Sequence, residues 1–560
     1  MIGGEADAGQ HLDPRRWVAL VVVLTAAFIV VLDNTVLNVA IPTIRAELHT
    51  TLPSLLWVVT GYALTFATLL IIGGRLGDMY GHRRIFIIGA GLFGVGSFVA
   101  SIATSVPQLI LGEAVIEGIG ASLMLPATLA ILSTTFKGRE RATAFAAWGA
   151  SAGVAAAFGP VVGGWLTWNY SWRWAFRINV IIAPLAIIGA LVFMSRGVRT
   201  GRRLPLDAAG AALIAVGMFL LVFALSEGAT YGWWRPLRGF LLFGHRVWPA
   251  SRVVSIMPII FAVAVGVLIA FYFVERAKER RGAHPLFPFV YLRIKTYRYG
   301  LLTGLVLAMG QFGLSFVLPV FLQGARLLTP QQNGWWQFPT GIFIIIGAQA
   351  GGRLIRAVGT TVVVRTGLFS YVVGILLIAH AVSLHITMWR LLPGLAFYGI
   401  GIGFAGAQLT NVVMSEVPAE SSGVASGANT TVRQVGAALG VAMIGSLLSA
   451  EIVSHAVTRL HAVTLPLAVK AQALAGVHAS GAFYQPSAST SPHDASVVQH
   501  LLRTSVASGT RVALVFAASI VLVGAFLSFL IPRVAPPERP TDTLEPLEPL
   551  DIDPALLNAV

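Results

Sequence analysis

The stretch GGRLGDMYGHRR, residues 73–84, is a dense group of charges between two long apolar runs. Only 11% of the chain is charged, yet this dozen holds Arg75, Asp78, Arg83 and Arg84. Part of the stretch returns as GGRLIRAVG at residues 351–359, at a constant offset of 278 residues (351 − 73). The repeat predicts two copies of one architecture, each with this loop at the end of an apolar segment.

The composition places the chain in a membrane. It has 560 residues, is 56% hydrophobic and has a mean hydropathy of +0.80. Runs of about 20 apolar residues recur, which is the length that crosses a bilayer as a helix. This predicts an all-α polytopic membrane protein, and the 59 glycines allow close helix packing in lipid.

Two classes of function are excluded by composition. The chain has no cysteine, which rules out disulfides, thiol catalysis and thiolate metal sites. The net charge of +15 does not indicate nucleic-acid binding, because the basic residues are scattered through short loops and form no single patch.

The hydropathy pattern predicts fourteen spanning helices and a cytoplasmic position for both termini. Most Lys and Arg then fall on the cytoplasmic side, as the positive-inside rule requires. The predicted helices are about 17–41, 54–74, 85–104, 107–132, 142–166, 173–195, 206–227, 253–274, 297–323, 334–352, 362–384, 388–413, 423–449 and 509–532.

These helices group into two six-helix halves with two inserted helices between them. Such an arrangement is typical of a transporter whose halves rock about a shared site. The predicted regions are a cytoplasmic leader (1–16), the N-terminal half (17–195), the inserted helices (206–274), a cytoplasmic interfacial linker (275–296), the C-terminal half (297–532) with a long outer loop (451–508), and a disordered cytoplasmic tail (533–560).

Five motifs in order resemble the major facilitator superfamily, in its fourteen-helix drug:proton antiporter branch of the multidrug efflux type. The resemblance as a whole covers residues 17–450 and the last helix. The motifs are LDNTVLNVAIP (32–42), GGRLGDMYGHRR (73–84), GEAVIEGIGASLMLPATLAIL (112–132), GVAAAFGPVVGG (153–164) and SWRWAFRINV (171–180). The resemblance implies the major facilitator fold, a multi-pass protein of a bacterial plasma membrane, and export driven by the proton motive force without a cofactor.

The sequence departs from the family pattern at three positions. Met79 stands where the family loop has Arg, and Ile181 stands where it prefers Pro. Ala114 replaces an Arg of helix 4 that is linked to proton coupling in relatives, and Glu113 and Glu117 flank it. The departure suggests either that the coupling chemistry is rearranged in this chain or that it rests on these two acids.

Three acids inside predicted helices are the candidate proton or cation site: Asp33, Glu113 and Glu117. A carboxylate at this depth is costly and usually faces a cavity or a partner. Glu113 and Glu117 are four residues apart on one helical face, so they favour a shared proton. The alternatives are a structural hydrogen bond for Asp33 and a structural pair for the two glutamates.

Two motifs predict moving parts. The cytoplasmic gate motif consists of Gly74, Asp78, Gly81, Arg83 and Arg84, in which Asp78 caps a helix and pairs with Arg83 or Arg84 as a latch. Positive-inside anchoring alone is the alternative. The antiporter-motif hinge consists of Gly153, Gly159, Pro160, Gly163 and Gly164. Ordinary small-residue packing is the alternative there.

Polar and aromatic residues in the helices are the candidate cavity lining: Asn34, Trp57, Tyr62, Gln311, Trp336, Gln337, Gln408 and Asn411. Several of the aromatic ones also suit a membrane-interface belt. Arg433 is predicted either to pair with an acid across the halves or to snorkel to the interface. The histidine spacing indicates no metal site, no nucleophile–base set indicates catalysis, and no phosphate loop indicates ATP hydrolysis.

The sequence therefore predicts a proton-coupled exporter of amphipathic compounds, cationic ones among them, that works by alternating access. Its partners would be the small-molecule substrate, protons and membrane lipids, with no nucleic acid, and a monomer is expected. Two alternatives stay open: a dedicated exporter of an endogenous metabolite or lipid, and a membrane receptor or scaffold that does not transport.

Overall fold

The computed structural model describes residues 15–136, 138–194, 207–242, 245–282, 285–286, 289–417, 422–480, 484–487 and 490–533. Most of the predicted leader and tail, and residues 195–206, lie outside these ranges. The described chain is almost entirely helical, which confirms the all-α membrane class.

The helices of the N-terminal half and the insertion are α1 Arg16–Glu47, α2 Leu52–Tyr80, α3 His82–Ser101, α4 Val106–Leu109, a π-helical segment Ile110–Glu117, α5 Gly118–Thr135, α6 Gly138–Asn169, α7 Trp174–Phe193, α8 Ala208–Tyr231 and α9 Met257–Arg280. The C-terminal half contains α10 Lys295–Gly324, α11 Pro330–Val358, α12 Thr360–Ala381, α13 Met388–Met414, α14 Ser422–Ala462, α15 Leu467–Ser480 and α16 Pro492–Leu527.

Within the described ranges, twelve helices are long and apolar enough to cross a membrane. The predicted second and fifth spans fall on α2 and α6, and the total of fourteen stays a prediction. A short hairpin of β1 Phe240–Leu242 and β2 His245–Trp248, which the sequence did not predict, joins α8 to α9. One-turn 3-10 helices occupy Phe289–Arg293 and Ser528–Leu530.

The repeated glycine motif has the same geometry in both copies. α2 ends at Tyr80 and α11 ends at Val358, again 278 residues apart (358 − 80). Gly81 follows with φ +95° and Gly359 with φ +83°. This region of backbone space is cheap only for glycine, so each copy turns the chain sharply into the next helix.

The two halves meet along α6 and α11 on one flank and along α2 and α14 on the other. The inserted helices α8 and α9 pair with each other, and α8 also packs on α2 and α14. Below, the outer side is the one that holds the α1–α2, α6–α7 and α10–α11 connections, following the predicted orientation.

The segment predicted as a long outer loop is largely helical. It holds the end of α14, all of α15 and the start of α16, which share a small apolar core. The core residues occur in pairs four apart, the spacing of one helix face: Ala456 and Leu460, Ala473 and Val477, and Val498 and Leu502.

Candidate functional site

The three predicted acids meet inside the N-terminal half. Asp33 comes from α1, and Glu113 and Glu117 come from the π-helical segment. One carboxyl oxygen of each lies within 4.8 Å of the others, and the residues are only 2%, 0% and 0% exposed. These three residues are called the carboxyl cluster below.

A residue that sequence reasoning missed joins the carboxyl cluster together. The Asn179 side-chain amide, on α7, donates to an oxygen of Asp33 at 2.7 Å and to one of Glu117 at 3.2 Å. Asn179 is 0% exposed. It lies in the SWRWAFRINV motif, and the available signal was an amide side chain directly before a long apolar run, in a helix that also holds Arg177.

Glu113 is the unusual member of the cluster. Its carboxyl group lies within hydrogen-bonding reach of Asp33 and Glu117, but neither of its oxygens meets a donor from the described residues. The described part of the chain also gives no ion pair to any of the three acids. Acceptor oxygens can share such a space only when protons lie between them, because three buried negative charges would repel strongly.

Two buried hydroxyls complete the surroundings of the cluster. Ser97 on α3 lies beside Glu117, and Tyr62 on α2 lies within electrostatic reach of all three acids. They are 0% and 1% exposed, and neither hydroxyl makes a hydrogen bond of acceptable geometry to a described residue. Tyr62 was predicted to line a cavity, and the structure places it here.

The backbone that carries the two glutamates is a π-helix, where the sequence predicted an α-helix. The wider turn still keeps residues four apart on one face. α3 touches this segment closely: a Cβ added at Gly96 would lie 2.5 Å from the Glu117 backbone nitrogen. π-Helical turns inside longer helices are frequent at functional sites.

A metal ion fits this cluster poorly. The spacing of its oxygens suits a cation, but the Asn179 amide directs its N–H groups between Asp33 and Glu117. A cation at that point would face the positive end of the amide dipole. The donor set therefore favours protons over a metal.

The antiporter-motif helix α6 has two glycine faces. On one face, a Cβ at Gly159 would lie 1.8 Å from the Thr35 hydroxyl oxygen, and one at Gly163 would lie 2.8 Å from the Val36 Cα, so α6 packs directly on α1. On the other face, a Cβ at Gly164 would lie 2.2 Å from the Pro330 carbonyl oxygen of α11. Gly153 lies in α6, but the contacts at this position are outside the described set.

The α6–α11 contact is reciprocal. A Cβ at Gly334 of α11 would lie 2.2 Å from the carbonyl oxygen of Pro160. A Cβ at Gly341 would lie 2.1 Å from the Ala157 Cα. The two halves therefore touch backbone to backbone along this line, which closes the outer side at this interface.

A small cavity of about 70 Å³ lies between the halves beside this contact. Its lining combines apolar side chains with polar ones from both halves. The polar lining residues are Thr35, Asn38, Gln311, Ser315, Gln337, Thr340 and Tyr398. The structure thus brings Gln311 and Gln337, two of the predicted lining residues, together in this cavity.

Comparison with known proteins identifies the family. The model of the Major Facilitator Superfamily matches residues 23–244 and 235–441. The chain belongs to the major facilitator superfamily. Members of this superfamily are membrane transporters and not enzymes. The chain is therefore a transporter, and it is a multi-pass protein of the plasma membrane.

Its relatives include bacterial proteins named as transporters or as a resistance protein. The "Probable actinorhodin transporter" of Streptomyces coelicolor is 33% identical, over 79% of this chain and 74% of that protein. The "Puromycin resistance protein pur8" of Streptomyces alboniger is 34% identical, over 79% and 84%. The "Multidrug transporter protein MdtP" of Bacillus subtilis is 28% identical, over 78% and 76%.

A solved structure supports the superfamily fold. The bacterial homologue of the human lysosomal transporter Spinster, inward-facing and unoccupied, aligns with a TM-score of 0.58 at 17% identity. The alignment covers 94% of this chain and all of that one. At this level of identity, the likeness shows the fold alone.

Other predicted lining residues of this superfamily member lie elsewhere. The Trp57 indole donates to Glu227 of α8 at 2.7 Å, and the Asn411 amide donates to Gln408 at 2.9 Å. Trp336 packs on the main apolar core, and Asn34 is partly buried on α1. None of the five predicted positions Asn34, Trp57, Trp336, Gln408 and Asn411 lines the small cavity between the halves.

The gate motif is described only in part. Gly74 packs near Pro126, Arg84 is exposed, and the Arg83 guanidinium donates to the Leu191 carbonyl at 2.6 Å, near the end of α7. The Asp78 side chain lies outside the described residues, so its latch with Arg83 or Arg84 stays a prediction.

Proposed function

We propose that this chain is a proton-coupled exporter of amphipathic, drug-like compounds that works as an antiporter by alternating access. One observation carries the proposal: three buried carboxyl groups from two helices share one space with a single amide donor. This arrangement supports a site that binds and releases protons during transport.

The proton argument rests on the cost of buried charge. With every carboxyl ionised, the cluster would place three negative charges within 4.8 Å and away from water. The described surroundings supply one amide and no cation to offset them. Proton binding from the outer side and release on the inner side would then accompany each transport cycle, and each charge moved across 100 mV contributes about 2.3 kcal/mol.

Helix α1 supports coupling between protons and conformation. One part of α1 presents Asp33 to the cluster, and Thr35, two residues later, rests against Gly159 of α6. The other face of α6 is in contact with α11 of the opposite half. A change in the charge of Asp33 that shifts or rotates α1 would therefore reach the interface between the halves.

The substrate class follows from the relatives. Their names record resistance to puromycin and transport of actinorhodin and of multiple drugs. The mixed lining of the cavity between the halves, with amides and hydroxyls beside apolar groups, suits amphipathic compounds. We extend this class to the present chain.

A dedicated exporter of one endogenous metabolite is the second candidate. It is favoured by the similarity to the "Probable actinorhodin transporter", whose name refers to a single compound. The two candidates differ in breadth: a dedicated exporter would move one chemical series and would not protect cells against unrelated drugs. A receptor or scaffold is disfavoured by membership of a transporter superfamily.

The experiment is substrate-driven proton movement in proteoliposomes with an imposed pH gradient. Wild type is compared with Asp33→Asn and with the double variant Glu113→Gln/Glu117→Gln. The matched control is Glu227→Gln, which neutralises a partly buried acid that contacts Trp57 and lies outside the cluster. The panel contains lipophilic cations, neutral dyes and anionic dyes.

Wild type and the control should move protons when a substrate is added. Both cluster variants should lose most of this proton movement, while their substrate binding, read by quenching of tryptophan fluorescence, persists. Unchanged proton movement in both cluster variants would overturn the assignment of the cluster. If wild type moves no protons with any compound of the panel, the proposal of a broad drug exporter is wrong.

A further inference from the structure

Arg433 is a charged group of the C-terminal half that the proposed mechanism leaves unused. It lies on α14, eleven residues beyond Ser422, where that helix begins (433 − 422). At 1.5 Å per residue this is about 16 Å along the helix. A guanidinium at such a depth is costly unless an anion accompanies it.

The side chain is directed between helices of its own half. Its Cγ lies 3.8 Å from where a Cβ of Gly304 on α10 would be, and a Leu409 methyl of α13 lies 3.5 Å from the same point. The absent side chain of Gly304 thus leaves room for the arginine stem. Gly304 is itself nine residues, about 14 Å, beyond the start of α10 at Lys295.

Arg433 has no anion of its own in the described part of the chain. No described residue gives it an ion pair, a hydrogen bond or a ring contact. The buried acids of the opposite half are held by Asn179 and by one another. Arg433 also keeps part of its surface exposed, so the described residues do not fully enclose it.

We propose that Arg433 binds the negatively charged group of a transported amphiphile, such as a carboxylate, sulfonate or phenolate. The guanidinium presents paired N–H donors that match the two oxygens of such a group. This inference rests on the proposed export function and deepens it, because it assigns an acidic class of substrate to the exporter and places its charged group among α10, α13 and α14.

The two charged sites then divide the work. The carboxyl cluster is at most 2% exposed and is enclosed within the N-terminal half, which suits protons and keeps substrate away from it. Arg433 is partly exposed and lies in the other half. A lipid phosphate has the same chemistry as a substrate anion, and snorkelling toward the headgroups would bring Arg433 to it.

The test uses two dyes that share one aromatic scaffold. Anilinonaphthalene sulfonate carries a negative charge, and phenylnaphthylamine is its neutral counterpart. The full chain is placed in nanodiscs of zwitterionic lipid, and binding is read by quenching of tryptophan fluorescence. The variants are Arg433→Gln and Arg433→Lys, and the control is Arg353→Gln, an exposed arginine of the predicted inner side.

The expected result is selective. Arg433→Gln should weaken binding of the sulfonate dye about tenfold to a hundredfold, the usual effect of removing a charged hydrogen-bonding partner. It should leave the neutral dye within about twofold. Arg433→Lys should retain part of the affinity for the sulfonate dye, because lysine keeps the positive charge but lacks the paired N–H donors of the guanidinium. The Arg353→Gln control should match wild type.

Three results would overturn the inference. Equal weakening of both dyes by Arg433→Gln would give Arg433 a structural role. No weakening of either would remove it from the site. If anionic lipid in the membrane competes with the sulfonate dye and wild type then no longer prefers this dye to the neutral one, the site binds a lipid headgroup. The dye assay measures binding, whereas the proteoliposome assay measures proton movement. A failure of proton coupling in the proteoliposome assay would contradict the proposed function, and the dye assay would still decide the role of Arg433.

Discussion

Replacing Gly334 by alanine should open the outer side of the transporter. The added Cβ would lie 2.2 Å from the Pro160 carbonyl oxygen and 2.9 Å from its carbon. A carbon and a carbonyl oxygen normally approach to about 3.3–3.6 Å, so α6 and α11 must separate by about 1 Å. Because both atoms belong to backbone, no side chain can turn aside.

The size of the effect follows from the cost of overpacking. Extra methyl groups in a tight interface cost about 1–3 kcal/mol. This penalty applies only while α6 and α11 are in contact, so it favours the conformation in which they are apart. The corresponding shift in population is about 5- to 150-fold.

Because the chain has no cysteine, a single introduced thiol is the only site for a maleimide label. Gln337→Cys places one thiol in the lining of the small cavity, three residues inward from position 334. A membrane-impermeant maleimide is added to the outer side of intact cells. The labelling rate should rise several-fold or more when Gly334→Ala is added to this background.

The matched control is Gly352→Ala, on the same helix, where nothing lies within 4 Å of the added Cβ. It has the same gain in helix propensity without the clash. Equal labelling rates for Gly334→Ala and Gly352→Ala would refute the reasoning, because the α6–α11 contact would then not limit access from outside.

Two further outcomes are expected. Gly96→Ala should push α3 away from the π-helical segment and abolish substrate-driven proton movement in proteoliposomes. The control Gly91→Ala, on the same helix with open space around the added Cβ, should leave this proton movement intact. Equal activity of the two variants would show that the contact at Gly96 does not position the cluster. Trp172→Phe deletes a 2.7 Å hydrogen bond to Glu47 and should lower the free energy of unfolding by about 1.5–3 kcal/mol, seen as a fall in Tm in detergent. The exposed Trp168→Phe serves as its control, and similar Tm values would contradict the assigned role of the bond.

The candidate site shows how far single-sequence reasoning reached. Asp33, Glu113 and Glu117 were identifiable because a charge inside an apolar run is costly and therefore conspicuous. Nothing local indicated that Asn179, 146 residues from Asp33, would join them. Which faces of α1 and α7 meet depends on helix rotation and packing, and hydropathy does not report that.

The same limit applied to the cavity and the loop. Gln311 and Gln337 came together, whereas Trp57 turned to Glu227 because the inserted helix α8 lies beside α2. The segment 451–508 was predicted as a loop because it is polar relative to the spans. Its apolar residues nevertheless recur at helical spacing and form a small core.

The sequence by itself determined the membrane class, the two-half plan, the repeated turn at Gly81 and Gly359, and the superfamily. These are properties of hydropathy, glycine geometry and motif order, and each can be read within one stretch of chain. Only the tertiary structure decided that three acids share one amide, that a π-helical turn carries two of them, and that α6 has one glycine face for α1 and another for α11. Those features arise because close helix packing brings distant residues together, and a shift of one residue in any helix would direct the same side chains elsewhere.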